Sequence, residues 1–306
     1  MDKRVHEALS NGRNVNMYKI NVTFEDLLST GAHFGHLTRK WQPQFKPYIL
    51  MSKRGIHIIN LEETLKNLQK AIDFITDICE NGGEILFVGT KKNAKNIVQQ
   101  EADKCGMFYV VERWLGGTLT NFSTIRKSIK RLQTLEKESS SLYENATKKE
   151  ILSLEREMIR LQDLHRGIKD MKRLPDALVV VDARHEYIAL CEARKLNVPI
   201  VAIVDTNTNP EIVDYPIPAN DDSIRAIKLI LGEIARSICE SKSMSYKEDV
   251  DLLVADEADE VSTEESEEIE TDGELTQGDT QIEDEVKKSA NEELVEVVEN
   301  EKEEDQ

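Results

Sequence analysis

The residues able to do chemistry in this 306-residue chain fall in a few short segments. No acid occurs between Asp26 and Glu62, whereas Arg39, Lys40, Lys46, Lys53 and Arg54 alternate there with His33, Phe34, His36, Trp41, Phe45 and Tyr48. Cations neutralise phosphates and aromatic faces stack on unpaired bases, so this mixture points to nucleic acid. The competing reading is an ordinary solvated loop, which would normally carry some acids. A second segment, Gly89-Thr-Lys-Lys-Asn93, stands between an apolar run and a helical stretch. Helix-terminal amides with Lys91 and Lys92 make an anion site there, but the glycine spacing of a nucleotide or dinucleotide loop is absent. A third, Arg113-Trp-Leu-Gly-Gly-Thr-Leu-Thr-Asn121, pairs glycines with a tryptophan expected to be exposed, and Arg126, Lys127, Lys130 and Arg131 extend it as a basic stripe.

Two further constellations have the residue types for catalysis or for a metal. Asp182 and Asp205 each end an expected strand, and with His185 and Glu186 they are the best candidates for an enzyme site at a sheet edge. Aspartates in such places also simply cap the next turn. No nucleophile–base pair completes the set, so no catalysis is expected. His33 and His36 form half of a metal site with no second ligand cluster at a sensible spacing, so neither a metal nor a cofactor is expected.

The elements that must position these residues follow from hydrophobic period. Continuous apolar runs at 84–88, 107–111, 177–181 and 200–204, separated by helical stretches at about 93–104 and 186–195, indicate a parallel sheet covered on both faces. Asn220-Asp-Asp-Ser223 caps a last helix whose Ile224, Ile227, Leu231, Ile234 and Ile238 share a face. The expectation is a three-layer α/β/α, Rossmann-like domain over about residues 22–240. Between its halves, at about 122–173, two amphipathic stretches are separated by the polar Glu138–Ser141 break, with Asn145–Thr147 able to cap the restart. They predict an inserted antiparallel α-hairpin of coiled-coil type that projects or packs back on its own domain.

Net charge divides the chain. Residues 241–306 carry 5 Lys/Arg and 26 Asp/Glu, net −21, leaving 35 against 32, net +3, for residues 1–240. The overall −18 therefore describes an acidic tail, expected to be disordered because its scattered apolar residues cannot offset the entropy of ordering. A sharper reading makes the tail a phosphate mimic competing for the basic body. The four isolated cysteines are expected as reduced thiols, and no apolar stretch reaches the roughly 20 residues of a membrane span. With no signal-peptide core at the N-terminus, the expected location is the cytoplasm.

Taken in order, Thr30–His36, Trp41–Tyr48, Gly55–Asn60, Phe87–Lys92, Arg113–Asn121, Leu174–Ala177, Val204–Asn207 and Tyr215–Asn220 resemble the bacterial-type small-subunit ribosomal protein S-two family, from about Val22 to Ile238. The resemblance implies a non-enzymatic protein bound to small-subunit ribosomal RNA on the ribosome. It also implies neighbouring ribosomal proteins as partners, among them ribosomal protein S-one near the messenger exit, and no obligate homo-oligomer. It marks the basic and aromatic residues from His36 to Arg54, and those around Lys91, Arg113, Asn121 and Arg126, as RNA contacts. Residues 1–21 precede the usual family pattern and read as an extension, or Met17 as the initiator. The reading from a different class is an α/β protein holding a phosphorylated small molecule at the 89–92 loop.

Overall fold

The computed structural model describes residues 18–137, 147–244 and 246. The basic segment is not a loop. After a short helix α1 (Phe24–Ser29), closed by a Thr23/Asp26 capping box, it folds into three strands, β1 (Phe34–Leu37), β2 (Ile49–Lys53) and β3 (Ile56–Ile59). These form an antiparallel sheet in the order β1-β3-β2. β2 and β3 turn on Arg54 and Gly55, both at positive φ (51° and 77°). Two consecutive left-handed residues are what a two-residue hairpin with the right-handed strand twist requires.

Helix α2 (Leu61–Glu80) then leads into the main sheet, made of β4 (Ile85–Val88), β5 (Phe108–Val110), β6 (Ala177–Val181), β7 (Ile200–Val204) and β8 (Tyr215–Pro218). All are parallel, in the order β5-β4-β6-β7-β8. The side-chain period of two explains why four of these strands read as unbroken apolar runs. Ile85, Phe87, Val179, Val181, Val201 and Ile203 point to a core shared with α2, α3 (Lys95–Cys105) and α7 (Ile224–Ser241). Leu86, Val88, Leu178, Val180, Ala202 and Val204 point to a second core. That one is shared with α6 (Tyr187–Lys195) and the start of α4 (Phe122–Leu135). Each fully buried aliphatic or aromatic side chain contributes about 1.5–3 kcal/mol, so two filled faces fix the three-layer order. The α/β class and the parallel sheet flanked by helices agree with the expectation.

The fifth strand, β8, is not among the expected runs, and it carries two prolines, Pro216 and Pro218. They are tolerated because β8 is at the edge, where a proline need not donate to a neighbour. Thr64 of α2 reaches the Pro218 carbonyl with its hydroxyl (2.5 Å), and Phe74 stacks on Tyr215 with ring centroids 4.2 Å apart.

Helices α4 and α5 (Lys148–His165) pack side by side, α5 opening on a Thr147/Glu150 capping box. Ser128 meets His165 and Arg131 meets Glu157, so they run in opposite directions. The near half of α4, through Ile125 and Ile129, belongs to the domain core, whereas Leu132 and Leu135 pack on Leu161, Met158 and Leu154. The expected break at Glu138–Ser141 and most of the acidic tail lie outside the described residues. Among the described residues no helix is long and apolar enough to cross a membrane.

The small sheet is held to the large one by close approach. His36 N donates to Thr206 Oγ1 (2.8 Å), and a Cβ on Gly35 would sit 2.6 Å from Thr206 Cγ2 and 3.1 Å from Asp205 Oδ1. Gly35→Ala must therefore push β1 off the end of β7, and a loss of about 1–3 kcal/mol is expected, as for other overpacked sites. Thermal unfolding should fall by several degrees, while a Gly55→Ala control loses stability only through its positive φ.

Candidate nucleic-acid interface

The sheet order reverses between β4 and β6, and the crevice beyond their carboxyl ends is where open α/β folds take ligands. Here the chain's own carboxylates fill it. Glu186, buried at the start of α6, accepts from Thr90 N (2.8 Å) and Thr90 Oγ1 (2.5 Å). Lys91 Nζ lies 2.6 Å from Asp222, 2.9 Å from Asp221 and 3.3 Å from Asp182. Burial alone would lower the Lys91 pKa, but its bonds to Asp221 and Asp222 outweigh that and hold the ammonium well above the usual lysine range. Asp221 is pushed up to about 7 by burial and by Asp182 and Asp205, against the pull of Lys91. The expected anion site on this loop is therefore corrected. A phosphate entering it would meet four carboxylates, with Lys91 already committed to three of them.

His36 is likewise turned inward. Its Nδ1 lies 2.5 Å from Asp205 Oδ2, and this bond raises the His36 pKa against the opposing effect of burial, with Asp221 and Asp222 adding to the rise. Asp182, at φ 62°, caps the turn after β6 by accepting from Arg184 N and His185 N. His33 is pushed down by burial and lies against the Phe34 ring at 4.0 Å, a structural histidine.

The Arg113–Asn121 loop is organised by one carboxylate that sequence reading missed. Glu192 of α6 accepts from Trp114 Nε1 (3.2 Å), Gly117 N (2.7 Å), Leu119 N (3.0 Å), Thr120 N (3.1 Å) and Thr120 Oγ1 (3.1 Å). The expectation of an exposed tryptophan is wrong, because Trp114 is buried in the second core and spends its N–H on Glu192. Only the helical phase of Glu192, on the same side as Ala189 and Ala193, hinted that it faces inward.

The remaining candidates divide cleanly. Arg39, Lys40, Lys46, Lys53 and Arg54 are exposed around the small sheet, and none pairs with a carboxylate among the described residues. Phe34, Leu37, Leu50 and Met51 are exposed beside them, whereas Phe45 is fully buried and Trp41 is half-buried against His57. Lys92 and Arg113 are exposed beyond the sheet edge, and Asn121 is exposed as the residue before α4, accepting from Ser123 and Thr124 hydroxyls. Arg126, Lys127 and Lys130 line the outer side of α4. Arg131 does not join them: it makes a two-pronged pair with Glu157 of α5 (3.1 and 3.0 Å). The outward candidates thus fall into two groups, one on and around the small sheet and one at Lys92, Arg113 and the outer side of α4.

Residues 27–241 match the family described as Ribosomal protein S2. The chain belongs to that family. One relative, the small ribosomal subunit protein uS2 of Acidobacterium capsulatum, is 51% identical over 225 residues, covering 73% of this chain and 75% of that protein. The family is one of structural proteins of the ribosome and not of enzymes, which accords with carboxylates that cap and brace at the sheet edge.

Glu192 gives this region a testable pH signature. Burial would raise its pKa, but the bonds from Gly117, Thr120, Trp114 and Leu119 win and hold it below the usual glutamate range. Its stabilisation is thus full above that usual value and is lost as pH falls through the depressed one. Glu192→Ala should cost at least about 2 kcal/mol at neutral pH, since several buried donors lose a charged acceptor. The gap in melting temperature between wild type and variant should narrow in acid, read by calorimetry from pH 7 to pH 3. A gap independent of pH would place the effect in packing alone.

Proposed function

We propose that the chain is a non-catalytic constituent of the small ribosomal subunit in the cytoplasm, bound to ribosomal RNA through its outward cations. The observation that carries the reading is the partition just described. Inward cations are consumed by the fold, while Arg39, Lys40, Lys46, Lys53 and Arg54 stand unpaired among the described residues around exposed apolar side chains. Such a surface neutralises phosphates at several points and recognises the shape of folded RNA. The second patch, Lys92, Arg113, Asn121, Arg126, Lys127 and Lys130, supplies a separate set of contacts. The α4–α5 pair acts as a coiled-coil arm at about 122–173. Its exposed Leu152 and Ile159 suit a protein neighbour, which by family resemblance includes ribosomal protein S-one. Residues 241–306 carry a net charge of −21 beside this body.

Sedimentation of the tagged protein through sucrose gradients at rising salt tests the reading. Co-migration with the small subunit that is lost only at high salt is expected, and migration solely as free protein with magnesium present would overturn it. Replacing Arg39, Lys40, Lys53 and Arg54 together by Ala should lower the log–log salt slope of RNA binding by about 3 to 4, near one unit per phosphate contact. An unchanged slope would remove this patch from the interface. Because the Tyr246 hydroxyl bonds Glu101 (2.7 Å), the tail is best cut after Glu248. That truncation should leave the melting temperature intact and RNA affinity equal or tighter, as expected when repelling charge is removed; filter binding at low salt reads the effect.

A further inference from the structure

We propose that the cavity where the Tyr18–Asn21 segment crosses the ends of α2 and α7 binds a polyamine, an alkyl chain carrying two or more ammonium groups. The cavity holds about 460 Å³, inside the roughly 300–1,000 Å³ range of small-ligand sites. Its walls are Tyr18, Thr76 and Glu80 of α2, and Ser237, Glu240 and Ser241 of α7. The crossing segment is pinned in place. Glu233, a buried carboxylate of α7, accepts from Asn21 N (2.7 Å) and Tyr18 Oη (3.2 Å), and Gln69 of α2 donates to Tyr18 O (2.6 Å). These bonds make the cavity a feature of the folded body.

Three observations select a cation. First, the carboxyl ends of α2 and α7 both open here, and aligned peptide dipoles leave each such end with about half a negative charge. Neither helix carries a basic residue in its last turn, and Lys242, the residue after α7, reaches instead to Met107 Sδ (3.6 Å). Second, Glu80 and Glu240 add two carboxylates, and neither pairs with a cation among the described residues. Third, Thr76 is only 6% exposed and its Oγ1 has no hydrogen-bond partner. The neighbouring hydroxyls behave differently: Ser237 and Ser241 donate to the Ile234 and Ile238 carbonyls (2.7 and 2.8 Å). A buried hydroxyl without a partner costs stability that back-bonding to its own helix would avoid, and a ligand N–H entering the cavity offsets that cost.

Donor chemistry narrows the cation to an ammonium chain. With their protons spent inside α7, Ser237 and Ser241 can only accept, as can Glu80 and Glu240, and Tyr18 gives its hydroxyl proton to Glu233. The ligand must therefore supply the N–H groups. Lys19, exposed at the rim, is the one cation in the described lining and the group a ligand would compete with. A metal ion fits less well, since the two carboxylates stand on different helices and no three His, Cys, Asp or Glu donors converge here among the described residues. A chain with an ammonium at each end can reach both carboxylates through charge-assisted hydrogen bonds while its methylenes lie along the Tyr18 ring.

The test is isothermal titration of the full-length chain with putrescine at physiological ionic strength. One saturable site per chain is expected, with nuclear Overhauser contacts from the putrescine methylenes to the Tyr18 ring. Glu80→Gln and Glu240→Gln, both at exposed positions, should each weaken binding about threefold. Thr76→Val keeps the shape and removes the hydroxyl, so it should weaken binding without lowering the melting temperature of the unliganded chain. Lys19→Gln, which removes the competing ammonium, should tighten it. Binding that all four substitutions leave unchanged would put the polyamine on the acidic C-terminal segment and overturn the proposal, as would the absence of saturable uptake. Complete displacement of putrescine by an equal concentration of Mg2+ would overturn the assignment of the ligand class.

Discussion

The structure depends on how it handles a concentration of carboxylates at the carboxyl edge of its parallel sheet. Asp182, Glu186, Asp205 and Asp221 are all buried there, and an isolated buried carboxylate is costly enough that it must be paired, hydrogen-bonded or protonated. Three separate parts of the chain deal with them. Lys91 serves Asp182 and Asp221, Thr90 serves Glu186, and His36 with Thr206 serves Asp205. Since His36 and Thr206 belong to different sheets, satisfying Asp205 also decides where the small sheet sits. The same requirement makes Gly35 the residue that can pass between them, because a side chain there would collide with Thr206.

Sealing that edge has a functional consequence. An open α/β sheet ordinarily offers its switch-point crevice to a phosphorylated ligand. Here the crevice is lined by carboxylates that take the Thr90 amide and the Lys91 ammonium, while the other candidate cations, Arg131 apart, face outward. The outward candidate cations lie on different elements, some around the small sheet and some along α4. Such a spread suits a large, folded polyanion and not a compact anion, because no single phosphate can reach both. Asp182 and Glu186 in that crevice serve as acceptors for backbone and hydroxyl donors.

Much of the large sheet was legible in the sequence. Ala177–Val181 and Ile200–Val204 are β-branched runs with no helical period, and burial on both faces leaves such strands no polar alternation to hide behind. What could not be read was whatever depended on a distant partner. β8 breaks the local rule with two prolines and exists because it caps an edge beside α2. The small sheet hides in a segment rich in proline and charge, and its clearest local sign, the Arg54-Gly55 turn, lacks the asparagine or aspartate that usually announces a hairpin. Among the candidate contacts, direction was the unreadable quantity. Lys91 and Lys92 are neighbours, yet one points into the acidic cluster and the other to solvent. Arg131 and Lys130 differ in the same way because Glu157 on α5 captures one of them.

The acidic C-terminal segment does not conflict with an RNA-binding body, because the two charges act over different ranges. At physiological ionic strength the screening length is about 8 Å, so exposed charges further apart than that scarcely interact. The net −21 of residues 241–306 therefore weakens contacts on the body only where the segment comes within that distance. The RNA binding proposed for the body would use the opposite geometry, with several cations fixed on a sheet and a helix meeting phosphates in direct contact. A fixed cation makes its contact at no cost in ordering the chain that carries it, whereas a segment with few apolar residues must lose backbone entropy, about 1–2 kcal/mol per residue, to hold its acids against the same cations. That asymmetry reconciles a strongly acidic composition with the RNA-binding role proposed for the body.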